Sequence, residues 1–181
     1  MKKIKTLPIL LKNPKILIIG GGNVALHKAQ VLQHNNIDFH IISETLNKKI
    51  LTTTANIQEK KFKLKDIKGF YIIIDATGVP SVSKKLLKYK RKHSILLNIV
   101  DKPEFCDFYF MALTKNKPLQ IAVSSNGASP TAAKFFRDEC EKLIPQDISK
   151  YLSKKQAKRD KGIIKKEKTH KELSKRKKNI L

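Results

Sequence analysis

The sequence predicts an α/β chain: a parallel sheet with helical crossovers over about residues 15–101, then a small β-containing region and a C-terminal helical region. Three observations carry this. Short apolar runs recur at Lys15–Ile19 (KILII), Tyr71–Asp75 (YIIID) and Ile95–Val100 (ILLNIV), the pattern of strands buried on both faces. Segments with helical spacing alternate with strands, which implies right-handed crossovers. A glycine triplet, Gly20–Gly22, ends the first run just before a helix-like segment.

In chain order, Asn23 to about Gln33 reads as a helix with Val24, Ala25, Ala29 and Leu32 lining one side. Asp38–Ser43 is a second strand, Leu46–Thr54 a weak helix or loop, and Lys61–Leu64 a short third strand. Ser81–Lys92 has helical spacing through Val82, Leu86 and Leu87. After Asp101 the rhythm changes: Phe108–Leu113 and Leu119–Ser124 read as two strands joined by the polar turn TKNKP, with no helix between them. Ser129 before Pro130 is a helix start, a hydroxyl N-cap followed by proline where its missing N–H does no harm. That helix should run to about Leu143 and stop before Pro145. Ile148, Tyr151 and Leu152 share a face of one more short helix; beyond about Lys155 apolar residues are sparse, so a solvated helix or disorder is expected.

At 181 residues the chain has room for one ordinary domain with an appendage, or two small domains. No run approaches the 18 or so apolar residues of a membrane span. The N-terminal MKKIKTLPILLKNP is interrupted by Pro8 and Lys12 and lacks a small-residue cleavage site, which argues against a signal peptide. Cys106 and Cys140 have no metal or redox spacing, and the five histidines form no pair at helical ligand spacing, so no metal cage is expected and reduced thiols in a cytoplasm are the simplest reading. The net charge of +24 is unevenly spread: residues 150–181 hold 14 Lys or Arg against Asp160, Glu167 and Glu172, a net of +11, and the rest of the chain still carries +13. Such a balance suits nucleic acid, an acidic membrane or a polyanionic small molecule; merely solvated lysines are the competing reading. Tyr151 is the tail's one aromatic residue, so base stacking is poorly provided and only non-specific, salt-sensitive nucleic-acid binding is expected.

The GGGNVA segment at 20–25 fits G-x-G-x-x-A as Gly20, Gly22 and Ala25. Gly20 permits the tight turn, Gly22 lets backbone approach a pyrophosphate, and Ala25 lets the helix pack close to the sheet. The helix N-terminus then offers N–H groups and a positive dipole end to the phosphates. Between a strand and a helix, this pattern marks a Rossmann-type parallel sheet that binds a nicotinamide dinucleotide. Glu44, 22 positions after Gly22, stands where an acid would hold the adenosine ribose; Ser43 shares that role, and a plain surface carboxylate is the alternative. No arginine lies between 36 and 60, although Lys48 and Lys49 are near, and this favours NAD over NADP.

Ligands of open α/β sheets bind outside the carboxyl ends of the strands. Two strands end there in an acid, Asp75 (followed by Ala76, Thr77 and Gly78) and Asp101. Dehydrogenation needs a hydride acceptor and a base, and Asp101 is well placed as the base, although DKPE is equally good turn sequence. His27 and Lys28 fall on the first turns of the phosphate helix, where either could approach an anion, although a solvated role is the simpler reading. Ser124, Ser125, Asn126, Gly127 and Ser129 form a second polar loop opening a helix, either an anion site or a self-sufficient N-cap.

Together these residues resemble the precorrin-2 dehydrogenase and sirohydrochlorin ferrochelatase family, which includes the sirohaem synthase N-terminal module. The similarity runs through LPILL (7–11), ILIIGGGNVALHKAQVL (16–32), IDATG (74–78), LNIVDKPEFCDFYF (97–110) and PLQIAVSSNGASPTAAKFFRDECEKLIP (118–145). The last two blocks are far more specific than the glycine loop. The resemblance implies NAD-dependent oxidation of precorrin-2 to sirohydrochlorin in sirohaem biosynthesis. Some members also insert iron, with Fe²⁺ as a substrate rather than a bound cofactor. It implies a homodimer that exchanges the segment after the Rossmann unit. The expected organisation is an NAD-binding domain at 1–105, a dimerisation and substrate-cleft region at 106–145, and a helical, strongly basic region at 146–181. Carried over by motif, Gly20, Gly22, Asn23 and Val24 belong to the NAD loop, with Thr77 beside the cofactor. Asp101 matches the family's essential acid, and Asn98, Ser125 and Ser129 fall on the tetrapyrrole cleft. Two departures stand out: Gly78 and Val79 replace acids common in the family, and Ser83 replaces an asparagine. The methyltransferase domain of fused members has no counterpart, so methylation is expected from another chain. An NAD-binding regulatory module without turnover is the alternative reading, and NADH formation with precorrin-2 separates the two.

Overall fold

The computed structural model describes residues 5–7, 9–114 and 118–160. Five strands form the main sheet: β1 (Ile16–Ile19), β2 (Phe39–Ser43), β3 (Asn56–Glu59), β4 (Ile72–Asp75) and β5 (Leu96–Ile99). They pair in parallel in the order β3-β2-β1-β4-β5. Every residue of the central β1 and β4 is buried, which is why both read as apolar runs, interrupted only by Asp75 at the end of β4. On one face Ile16, Ile18, Ile41, Ile72 and Ile74 meet Ala25, Ala29 and Leu32 of helix α1 (Asn23–His34). On the other, Leu17, Ile19, Ile73 and Leu97 pack with Leu86 of helix α2 (Pro80–Lys90). The alternation of faces along β1 follows from the period of two in a strand. The strand order reverses between β1 and β4, the point at which a doubly wound sheet opens a crevice for ligand.

Three expectations need correction. The third strand is Asn56–Glu59, not Lys61–Leu64. It is the sheet edge, so only Ile57 is half-buried and no apolar run announces it; Phe62 instead packs on the core from the loop that follows. Val24 does not face the sheet but is 41% exposed. The two late strands are also shorter than their apolar stretches. They are β6 (Ala112–Leu113) and β7 (Ala122–Val123), an antiparallel pair. Phe108 and Phe110, read as the start of β6, pack against the α1 face of the main sheet.

The chain divides into two compact units, the first ending at Phe110 and the second starting at Met111. In the second, α3 (Pro130–Lys142) packs on β6 and β7, and α4 (Ile148–Asp160) follows. Ser129 is the N-cap of α3, its Oγ accepting from the Ala132 N–H at 3.1 Å, with Pro130 opening the helix. On α4 Ile148 is buried and Tyr151 and Leu152 are half-buried on the expected shared face. Residues 115–117 of the TKNKP turn and the basic stretch 161–181 lie outside the described residues. Among the described residues no helix is long and apolar enough to cross a membrane.

Candidate functional site

The three glycines after β1 answer to three different constraints. Gly20 has φ +114°, and a Cβ there would lie 2.6 Å from the Ala76 carbonyl oxygen, so the loops leaving β1 and β4 touch at the switch point. A Cβ on Gly21 would lie 2.1 Å from the Thr45 carbonyl oxygen and 2.8 Å from Ser43 Oγ. Gly22 is extended (φ −81°, ψ −169°), and a Cβ there meets nothing within 4 Å. The fold therefore demands glycine at 20 and 21 but not at 22. Gly22 is also the N-cap of α1 and supplies no side-chain cap. Open space beside uncapped helix N–H groups fits a pyrophosphate at this position.

Asn47 was not singled out from the sequence, and it clamps this loop. Its N–H donates to the Gly21 carbonyl (2.7 Å), its Nδ2 to Asn23 Oδ1 (2.8 Å), and its Oδ1 accepts from the Lys49 N–H (2.9 Å). Its one visible signal was its place as an N-cap residue before the 3₁₀ turn Lys48–Thr52. Ser43 closes β2 with its hydroxyl donated to the Thr45 carbonyl (2.7 Å), and Glu44 stands exposed just beyond.

The two strand-end acids part company. Asp75 is 1% exposed. One of its oxygens accepts from the Thr77 N–H (3.1 Å) and Thr77 Oγ1 (2.6 Å), the other from Ser83 Oγ (2.7 Å). Thr77 Oγ1 in turn accepts from the Val79 N–H (3.1 Å) at the start of α2. Asp75 thus ties β4 to its loop and to α2, and Ser83 earns its place as the buried donor. Asp75→Ala would strand both hydroxyls, and we expect a loss of about 2–3 kcal/mol. Urea unfolding checks this; an unchanged midpoint would remove Asp75 from the framework.

Asp101 follows β5 in a tight turn with φ +63°, a region that aspartate tolerates better than most residues. The Lys102 N–H donates to the Ile99 carbonyl (3.2 Å), and the Val100 N–H to the Asp75 carbonyl (3.0 Å). Asp101 lines a cleft of about 440 Å³ with Asn23, Val24, Lys28, Asn98 and Tyr109. Asn98 is 6% exposed, and its Nδ2 donates to the Phe108 carbonyl (2.9 Å). Cys106 Sγ donates to the Ile99 carbonyl (3.2 Å), and Asp107 accepts from the Leu97 N–H (2.8 Å) while pairing with Lys90. These bonds fold 106–110 back along β5 and build one wall of the cleft.

Lys28 departs from the solvated reading. It is half-buried in this cleft, with Nζ 4.4 Å from the centroid of the Phe110 ring. Burial lowers its amine below the usual lysine value, and the neighbouring Cys106 opposes that shift. Burial likewise pushes the Cys106 thiol up.

Of the residues singled out from the sequence, Asn23, Val24, Asn98 and Asp101 meet in one cleft. Gly20, Gly22, Ser43, Glu44 and Thr77 lie at the carboxyl ends of the neighbouring strands β1, β2 and β4. Ser125 and Ser129 belong to the second unit. There Ser125 Oγ accepts from the Ser129 N–H (2.9 Å) and Ser124 Oγ from the Asn126 N–H (3.0 Å), while Asn126 and Gly127 take positive φ. The loop is thus capped by its own side chains. Among the described residues no group of three or more His, Cys, Asp or Glu side chains is placed to hold a metal ion.

A family model described as "Putative NAD(P)-binding" matches residues 7–112, more than half of the chain. The chain belongs to this NAD(P)-binding family. A second model, described as sirohaem biosynthesis protein central, matches residues 116–143 of this family member. Similar curated proteins include the sirohaem synthases of Blochmanniella floridana (32% identical over 144 residues, 77% of this chain and 31% of that protein) and Nitrosococcus oceani (32% over 146 residues, 77% and 31%). That of Methylococcus capsulatus is 35% identical over 145 residues, again 77% and 31%. The chain therefore spans about three-tenths of the length of the curated relatives it matches. Among solved structures, SirC, precorrin-2 dehydrogenase, aligns with a TM-score of 0.61 at 21% identity, covering 83% of this chain and 76% of that one. The fold is shared, and the resemblance read from the five motif blocks is borne out.

Proposed function

We propose that this NAD(P)-binding family member oxidises precorrin-2 to sirohydrochlorin with NAD, the dehydrogenase step of sirohaem biosynthesis. The observation that carries the reading is the shared cavity: Asp101 lines the same cleft as Asn23 and Val24 at the N-terminus of α1. A base and the cofactor loop thus face one ligand space. Gly20, Gly22, Asn23 and the α1 N-terminus hold the pyrophosphate, Thr77 borders the cofactor, and Glu44 with Ser43 takes the ribose. NAD, when bound, supplies the hydride acceptor. Asp101 removes the accompanying proton, and Asn98 holds the 106–110 wall that shapes the cleft. Fe²⁺ is proposed as a second substrate, because insertion also needs pyrrole N–H protons removed beside Asp101. Ser125 and Ser129 are proposed as substrate-binding residues. A homodimer is supported by Phe135 and Phe136, both more than half exposed on α3.

Anaerobic incubation with precorrin-2 and NAD, then with Fe²⁺, tests the reading by absorbance. Tight NAD binding without NADH formation would favour the regulatory alternative. For the cofactor, NADP should bind about tenfold or more weakly than NAD, because Glu44 would face the 2′-phosphate. Titration of both cofactors decides this, and equal or tighter NADP binding would sink it.

A further inference from the structure

We propose that Lys28 docks a carboxylate of the substrate in the Asp101 cleft and so positions the macrocycle for proton removal. This rests on the dehydrogenase reading above and adds a residue to it. On α1, Val24 and Lys28 are one turn apart, as are Asn23 and His27, and all four line the cleft. Ala25, Ala29 and Leu32 turn the other way, into the sheet. Lys28 lies about 7.5 Å of helix rise beyond Asn23, away from the N–H groups that suit a pyrophosphate. Its ammonium is half-desolvated over Phe110, yet among the described residues no carboxylate approaches it within 4.0 Å. The Phe110 ring offsets only part of the cost of desolvating this cation without a counter-ion. A ligand carboxylate would supply the missing anion. It would also offset the repulsion between a polycarboxylate and Asp101 on the same cleft. The Phe110 ring holds the ammonium in place before ligand arrives.

Lys28→Met keeps the length of the stem and removes the charge. The KM for precorrin-2 should rise roughly 10–100-fold, with kcat within about threefold of the parent. NAD affinity should stay within about twofold, and Lys28→Arg should recover most of the loss. Met in place of a half-buried cation should unfold at or above the parent midpoint. An unchanged KM, a fall in kcat without a rise in KM, an equal loss of NAD affinity, or a lowered unfolding midpoint would each overturn the proposal. Uroporphyrin, an octacarboxylate that needs no turnover, separates the two readings by fluorescence quenching. If the parent does not oxidise precorrin-2 but binds uroporphyrin at least about tenfold tighter than Lys28→Met does, the dehydrogenase reading falls and Lys28 stands. If the parent is active and the variant's KM is unchanged, Lys28 falls alone. If the parent is inactive and shows no difference from the variant in uroporphyrin binding, both fall.

Discussion

Asp101→Asn should lose about 10²–10⁴ in kcat, the usual loss when a general base is removed, while keeping its fold and its NAD affinity. The substitution is unusually clean here because of the backbone. Asp101 sits at φ +63°, and asparagine is at least as much at home in that region as aspartate. The Lys102–Ile99 backbone bond that closes the turn does not involve the side chain. Only the carboxylate charge and its basic lone pair are removed. Asp101→Ala would be a poorer probe, since alanine resists positive φ and would mix strain with chemistry. NAD should still bind, because Gly20, Gly22 and the start of α1, not Asp101, would hold its phosphates. Any iron insertion should fall in the same variant. Steady-state NADH formation and a cofactor titration decide the matter; near-normal turnover in folded Asp101→Asn would eliminate it as the base.

Sequence patterns reveal what is buried on both faces and hide what depends on a distant neighbour. β1 and β4 were legible because burial on both faces leaves only isoleucine and leucine before the closing Asp75 of β4. β3 was not, because an edge strand with one half-buried residue carries no periodic signal. Asp75 and Asp101 looked equivalent, each an acid at a strand end. Their difference lies in Thr77 and Ser83, which turn one carboxylate inward, and in a left-handed turn that leaves the other on the cleft. Lys28 was legible as a helix position, but its burial depends on Phe110. That ring arrives through the Asn98–Phe108 hydrogen bond, a contact ten residues apart in sequence. Asn47 was hidden for the same reason: it reaches Gly21 and Asn23 across the whole of α1 and β2. The motif identified the glycine loop but not which glycine serves the fold and which serves the ligand.

That division makes the second large effect a contrast between neighbours. Gly21→Ala should destabilise the protein by about 3 kcal/mol or more, because its methyl would sit 2.1 Å from a backbone carbonyl that cannot swing aside as a side-chain tip would. In a domain of this size that lowers Tm by roughly 6–12 °C. The Thr45–Asn47 segment would have to retreat, and with it the Asn47 bonds to Gly21 and Asn23, so NAD affinity should fall as a consequence of the damaged loop. Gly22→Ala should behave in the opposite way. Its backbone angles suit any residue and its methyl meets nothing in the free protein, so Tm should stay within about 2 °C of the parent. The methyl instead projects into the space where a pyrophosphate would approach the start of α1. Overpacking there should raise the NAD dissociation constant by roughly 5–100-fold, the equivalent of about 1–3 kcal/mol. Thermal unfolding with and without NAD reads both terms at once, since bound cofactor raises stability with the logarithm of its concentration over its dissociation constant. The parent should gain stability with NAD and Gly22→Ala should gain little. If Gly22→Ala keeps the full NAD-induced rise in Tm, the pyrophosphate does not lie against Gly22, and the open space above the helix start has another use.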